Sequence, residues 1–175
     1  GRLPRLLMAP RHPERFAAVA DLIKISDFNW VRRTEKESAR DHTAEVILLD
    51  TIGELRSMYP LGELVFVGGS LIPHGGQSIF EPAQAGRAII TGPYTANFAA
   101  AVSEFLGREA IVQLPVLSRG KFVPKLASVI SSLIADDPKR ASLGNNALKV
   151  MESNSGAVSR TLEHLESLLQ GLHSR

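Results

Sequence analysis

Four stretches of this 175-residue sequence combine residue types suited to holding a polar, anionic ligand. The longest runs from Gly68-Gly69-Ser70 through Pro73-His74 to Gly75-Gly76-Gln77-Ser78 and Glu81. Gly75-Gly76 lets backbone approach a ligand, because no Cβ intervenes and φ is unrestricted. Gln77-Ser78 falls where a helix is expected to begin, at the N–H groups and the positive end of the helix dipole. A phosphate is stabilised in such a place without a lysine. Glu81, three residues past Ser78, offers a carboxylate able to accept two hydrogen bonds from a ribose diol. The same spacing fits a capping box in which Ser78 and Glu81 only close the helix. Both readings stand on spacing alone, and His74 reads equally as a substrate contact or a surface histidine.

The other three stretches carry less. In Pro10-Arg11-His12-Pro13, an arginine at a strand end can clamp phosphate or carboxylate bidentately. His12 can donate to an anion or cap the helix beside it, and the pair also reads as solvated surface. In Asp50-Thr51-Ile52-Gly53-Glu54-Leu55, Gly53 and Glu54 sit at another expected helix start. The choice there is backbone contact with a nucleobase, or a turn that Thr51 and Glu54 cap. Gly92-Pro93 is the fourth stretch. Several motifs are missing: Gly-x-Gly-x-x-Gly after the first strand, a P-loop, a Gly-x-Ser-x-Gly elbow and any zinc spacing of His and acids.

These stretches follow apolar runs that read as strands: Leu6–Ala9, Val46–Leu49, Leu64–Val67 and Ala88–Ile90. Phe28–Val31 and Ala110–Val112 complete six strands. Helices are expected from His12, at Glu54–Met58, Ile79–Ala85 and Ala96–Leu106, and after Phe122 through Ile134, over Lys139–Ser153 and over Ala157–Leu169. Turns at Asp136-Asp137-Pro138 and Asn154-Ser155-Gly156 are expected to separate the last three. Arg33–Ala44 has no apolar period and reads as a loop. Strands apolar on both faces that alternate with helices predict an α/β fold, a doubly wound parallel sheet covered on both sides. In such sheets ligands bind beyond the carboxyl ends of the strands, where the four stretches lie.

Composition narrows the classes. One ordinary domain fits in 175 residues. A hydrophobic fraction of 44% with 22% charged residues is that of a globular chain. No cysteine is present, so a disulfide scaffold, a thiol nucleophile and a thiolate metal site are excluded. A formal charge of +2 does not by itself imply nucleic acid. Arg2, Arg5, Arg32 and Arg33 read as a solvated face rather than a lipid-facing one. No run reaches the roughly 20 apolar residues that span a bilayer, and the first residues lack the apolar core of a signal peptide. An internal domain of a longer protein is therefore expected, with a small protein lacking a targeting segment as the alternative. The leucines Leu162, Leu165, Leu168 and Leu169 form an apolar helix face expected to be exposed or to pack on a neighbour.

Five segments in order resemble the 3-deoxy-D-manno-octulosonic acid (Kdo) transferases of lipopolysaccharide assembly. They are Pro10–Arg15, Asp50–Leu55, Phe66–Leu71, Gly75–Ala83 and Thr91–Phe98. The resemblance spans essentially residues 1–175 and implies the C-terminal, donor-binding half of a GT-B-type glycosyltransferase. That half is a Rossmann-like sheet with a helical C-terminal segment. It implies that Arg11 and His12 meet the phosphate or sugar of CMP-Kdo, and that Ile52, Gly53 and Glu54 lie near cytosine and ribose. It further implies that Gly69, Ser70, Gly75, Gly76, Gln77 and Ser78 form the donor loop and that Glu81 holds the ribose hydroxyls. Family members often carry Asn at Ser78, Pro at Ile79 and Met at Ile52.

The general base, the acceptor surface for the lipid A precursor and the membrane anchor would belong to an N-terminal domain outside this chain. The fragment alone is then expected to be inactive and soluble, acting at the cytoplasmic face of the inner membrane only as part of the whole enzyme, and associated with the membrane indirectly. Neither metal nor cofactor is expected, and no nucleic acid partner. Two other readings remain open, a free-standing nucleotide-binding module and half of a GT-B-fold nucleotide-sugar epimerase.

Overall fold

A computed structural model describes residues 4–173, with the side chains of residues 4–118 and 120–155. The chain divides into two compact units, Gly1–Met58 and Tyr59–Arg175. Each holds a three-stranded parallel sheet.

In the first unit, β1 (Leu6–Met8), β2 (Trp30–Arg32) and β3 (Val46–Leu48) pair in the order β1-β3-β2. The central strand carries the burial, and Leu48 is completely buried. Helix α1 (Phe16–Lys24) places Ala20 and Ile23 on Val46 and Leu48, with Met8, Val19 and Trp30 packed around them. The helix expected from His12 opens instead as a 3-10 turn, Pro13–Arg15, with α1 proper beginning at Phe16. Phe28 lies outside β2 and is exposed. The polar stretch 33–44 holds one ordered piece, a 3-10 turn Ala39–His42 closed by a Ser38–Asp41 capping box. A short helix, α2 (Leu55–Met58), ends this unit.

In the second unit, β4 (Leu64–Val67), β5 (Ala88–Thr91) and β6 (Ile111–Gln113) pair in the order β4-β5-β6. Side chains alternate across a pleated strand, so each strand feeds two cores. Val65, Val67, Ile89 and Ile111 join Ala83 of α3 (Phe80–Gln84) and Val102 and Phe105 of α4 (Ala99–Gly107). Leu64, Phe66, Ala88, Ile90 and Val112 join Leu126, Val129, Ile130 and Leu133 of α5 (Phe122–Ala135). Both faces of this sheet are covered, as its continuous apolar strands require.

The last helix, α6 (Asp137–His173), sends Leu143 to the second core and Ala147 and Val150 to the first. The expected turn before it is present. Asp136 accepts from Lys139 N–H at 2.9 Å, and Arg140 donates to the last carbonyls of α5 while pairing with Glu63 at 2.8 Å. The expected turn at Asn154-Ser155-Gly156 is absent, and α6 runs through it. Polar side chains there find partners without breaking the helix. Ser153 and Ser155 donate back to Val150 and Met151 carbonyls, and Asn154 donates to Glu104. One glycine costs a helix only about 1 kcal/mol. The side chains of Leu162, Leu165, Leu168 and Leu169, and Arg2, lie outside the described residues. Among the described residues no helix is long and apolar enough to cross a membrane.

Candidate functional site

The loops after β4 and β5 in the second unit are tied together by one side chain. Ser70 is completely buried. Its hydroxyl donates to the Val67 carbonyl at 2.6 Å and accepts from the Gly92 amide at 2.8 Å. The Ser70 carbonyl accepts from Tyr94 N–H at 3.0 Å. A Cβ on Gly92 would collide with that same carbonyl, so only glycine permits this approach. The Ser70 hydroxyl, expected among the ligand contacts, is thus spent on holding the loop. On the far side, Gln113 reaches back from β6, its side-chain amide donating to the Gly92 carbonyl at 3.2 Å and to Thr95 Oγ1 at 3.3 Å.

The glycine pair packs on the second of these loops. Gly75 and Gly76 hold φ of +85° and +79°. A Cβ on Gly76 would meet the Tyr94 carbonyl at 3.1 Å, and Asn97 N–H donates to the Gly75 carbonyl at 3.1 Å. Gln77 lies over Gly69, where a Cβ would meet Gln77 Cγ at 3.3 Å. Gly69 is itself exposed, with φ of +68°.

The helix expected over Ile79–Ala85 spans Phe80–Gln84, with Ile79 as its N-cap, so Gln77-Ser78 lie just before it. Ile79, at the start of this helix, is completely buried. Ser78 is exposed and accepts from Phe80 N–H at 3.3 Å. That bond reaches two residues on, so the Ser78 hydroxyl keeps its own proton to donate. Glu81 and His74 are exposed. A cavity of about 340 Å³ opens beside Gly75, walled by Pro73, Pro93, Tyr94, Thr95, Ala96 and Ala99.

Glu81 has a neighbour that spacing did not reveal. Tyr59 is pushed above its ordinary pKa of 10.0, first by burial and then by the Glu81 carboxylate. Both causes favour the neutral phenol. Its folded-state pKa exceeds the unfolded value, so its contribution to stability is complete below about pH 10 and is lost as pH rises through the folded value. Thermal unfolding between pH 8 and 11 should therefore show a smaller alkaline loss in Tyr59→Phe than in the wild type.

The first unit holds the remaining expected residues. Glu54 stands before α2 and is gripped from two sides. Thr51 Oγ1 donates to Glu54 Oε2 at 3.0 Å, and the Arg33 guanidinium pairs with the same oxygen at 3.1 Å. Asp50 accepts from the Thr34 amide and hydroxyl at 3.1 and 2.7 Å. Arg32 reaches Asp50 at 4.0 Å and lies over the Trp30 ring, 5.8 Å from its centroid. Arg5 donates to the Ala44 and Asp41 carbonyls. Arg5 and Arg33 are exposed, as expected of a solvated face, and Arg32 is half-buried; all three also hold the loops through these bonds. Ile52 is 64% exposed beside Gly53, whose φ is +90°, leaving an apolar side chain presented at the loop tip.

Arg11 and His12 are both exposed after β1. His12 precedes the 3-10 turn without a side-chain cap bond and lies 3.7 Å from Glu14. Among the described residues no three His, Asp or Glu side chains cluster as metal ligands.

Arg33, Tyr59, Tyr94, Asn97 and Gln113 were not among the residues expected to form the site. Tyr94 and Asn97 lie in the conspicuous Thr91–Phe98 segment, which was signal enough. Arg33, Tyr59 and Gln113 carry none.

Comparison with known proteins gives a consistent result, although no family model matches the chain. A 3-deoxy-D-manno-octulosonic acid transferase of Haemophilus influenzae is 38% identical over 165 residues, 94% of this chain. The Bordetella pertussis transferase of the same name is 30% identical over 95% of it. The chain spans only 37% of the length of each of these relatives. Among solved structures, the C-terminal CMP-Kdo binding domain of WaaA from Acinetobacter baumannii is similar at a TM-score of 0.75 and 30% identity. That match covers 84% of this chain and 73% of the solved domain. With a fold and a sequence held in common with these proteins, the chain belongs to the 3-deoxy-D-manno-octulosonic acid transferase family.

Proposed function

We propose that this chain is the donor-binding part of a Kdo transferase and that its ligand is CMP-Kdo. The observation that carries this reading is the similarity, over 84% of the chain, to a domain described as binding that nucleotide sugar. The exposed Ser78 and Glu81 beyond a close-packed glycine pair support it, since both present polar atoms where backbone can approach a ligand. In this reading Glu81 accepts the ribose hydroxyls. The loop from Gly75 to Ser78 meets the phosphate, and, within the first unit, Arg11, Ile52 and Gly53 are the donor contacts that the family resemblance implies. Ser70 acts through the loop rather than by contact.

Transfer breaks the bond between the sugar's anomeric carbon and the phosphate oxygen, and CMP departs with the electron pair. Fixed N–H donors and a guanidinium stabilise that phosphate more as its charge grows, which is where binding energy accelerates the step. The acceptor, a lipid A precursor, supplies the attacking hydroxyl. Its proton passes to a general base in the part of the enzyme that lies outside this chain. The complete enzyme works at the cytoplasmic face of the inner membrane, and neither a metal nor a cofactor is assigned to the donor site.

Calorimetry with CMP tests the reading. The wild-type chain should bind, equally well with Mg²⁺ or with chelator. Glu81→Ala and Arg11→Ala should each lose about 1.5–3 kcal/mol, the range for hydrogen bonds to charged groups. Equal affinity of the Glu81 variant and the wild type would remove the carboxylate from the site.

A further inference from the structure

Asn97 is exposed, in a 3-10 turn, Ala96–Phe98, that leads into α4. Its backbone N–H donates to the Gly75 carbonyl at 3.1 Å, which holds it against the glycine loop. Its side chain lies there too: a Cβ on Gly75 would collide with Asn97 Nδ2 and come to 2.6 Å from Cγ. Yet the carboxamide makes no hydrogen bond among the described residues. Two N–H donors and a carbonyl acceptor are left without a task in the fold.

Two hollows meet at this side chain. The cavity of about 340 Å³ beside Gly75 shares Ala96 and Ala99 as walls with a second of about 510 Å³, which Asn97 and Phe80 also line. Among the described residues no charged side chain lines either one. Both volumes fall in the range of roughly 300–1,000 Å³ found for ligand sites. A phosphate would find no cation between these walls. A sugar suits them, since its C–H faces pack on alanine, proline and aromatic rings while its hydroxyls donate to and accept from an amide.

We propose that these adjoining hollows hold the sugar of the donor and that the Asn97 carboxamide hydrogen-bonds its hydroxyl groups. Gly75 opens the loop assigned to the phosphate, and in a nucleotide sugar the sugar is bonded to that phosphate. The hollows therefore lie where the next group of the ligand must go. Asn97 as a sugar contact rests on the donor reading and deepens it, because this residue then sets the preference for nucleotide sugar over bare nucleotide.

Competition binding with CMP and CMP-Kdo is the test. The wild-type chain should prefer CMP-Kdo. Asn97→Ala should lower that preference about tenfold, the loss expected for two hydrogen bonds between neutral groups. Ala99→Leu, which extends the shared wall into the hollows, should lower it as well. Three results overturn the proposal: a wild type with no preference for CMP-Kdo, a preference that survives either variant, or an equal loss of both ligands in Asn97→Ala, which a purely structural role against Gly75 would give. Each of these leaves CMP binding by the wild type, and so the donor reading, in place. A wild type that binds neither ligand overturns both.

Discussion

Phe105→Ala should destabilise the second unit by about 3–5 kcal/mol, the range for removing a fully buried phenylalanine. Phe105 is completely buried on α4 and is the largest side chain so enclosed among the described residues. It shares its core with Ile89 of the central strand, Ile79 and Ala147, and Phe80 meets its ring edge-on at a centroid distance of 6.4 Å. The void would open between the sheet and both α3 and α6, elements that cannot all close in on it together. Urea unfolding followed by circular dichroism measures the loss. A change below about 1 kcal/mol would mean that the core is not packed as described. Phe105→Leu should recover a large part, since it restores most of the volume.

Gly92→Ala should be nearly as damaging, about 3 kcal/mol, at the upper end of what overpacking costs. The added methyl group would meet the Ser70 carbonyl, which is backbone and is already engaged by Tyr94 N–H. Neither neighbour can yield as the tip of a flexible side chain would. Something in the tie must break: the Gly92 to Ser70 hydrogen bond, the Tyr94 bond, or the end of β5. The variant should therefore lose CMP affinity along with stability. Glu81→Ala, by contrast, should lose affinity while unfolding at the wild-type urea concentration. Parallel denaturation and calorimetry on the two variants distinguish a broken framework from a lost contact.

What could be read from sequence depended on how locally each feature is encoded. Ala88-Ile89-Ile90 read as a strand because a short apolar run fits one covered on both faces, and the structure buries all of Ala88–Thr91; its central place in the sheet was not legible. Helix α3 was legible to within a residue at each end, but whether Ser78 and Glu81 form a capping box was not, because that spacing occurs whether or not the box forms, and the N-cap residue is Ile79. The turn expected at Asn154-Ser155-Gly156 failed because hydrogen bonds to earlier carbonyls and to Glu104 satisfy side chains that otherwise favour turns. Arg33 and Glu54 are far apart in sequence, and nothing local marks them as partners. Ser70 was picked out by its place in a glycine loop, yet its job depends on Gly92, which the chain reaches only after a helix and a strand.

The tie through Ser70 bears on the thermodynamics of recognition. A loop that orders only when its ligand arrives charges that ordering against affinity. Here the segments after β4 and β5 share hydrogen bonds through Ser70, Gly92, Tyr94 and Gln113, all made within the chain itself. Their conformational entropy is surrendered during folding, so association at this rim begins from a preorganised surface. Its entropic penalty then falls mainly on the nucleotide.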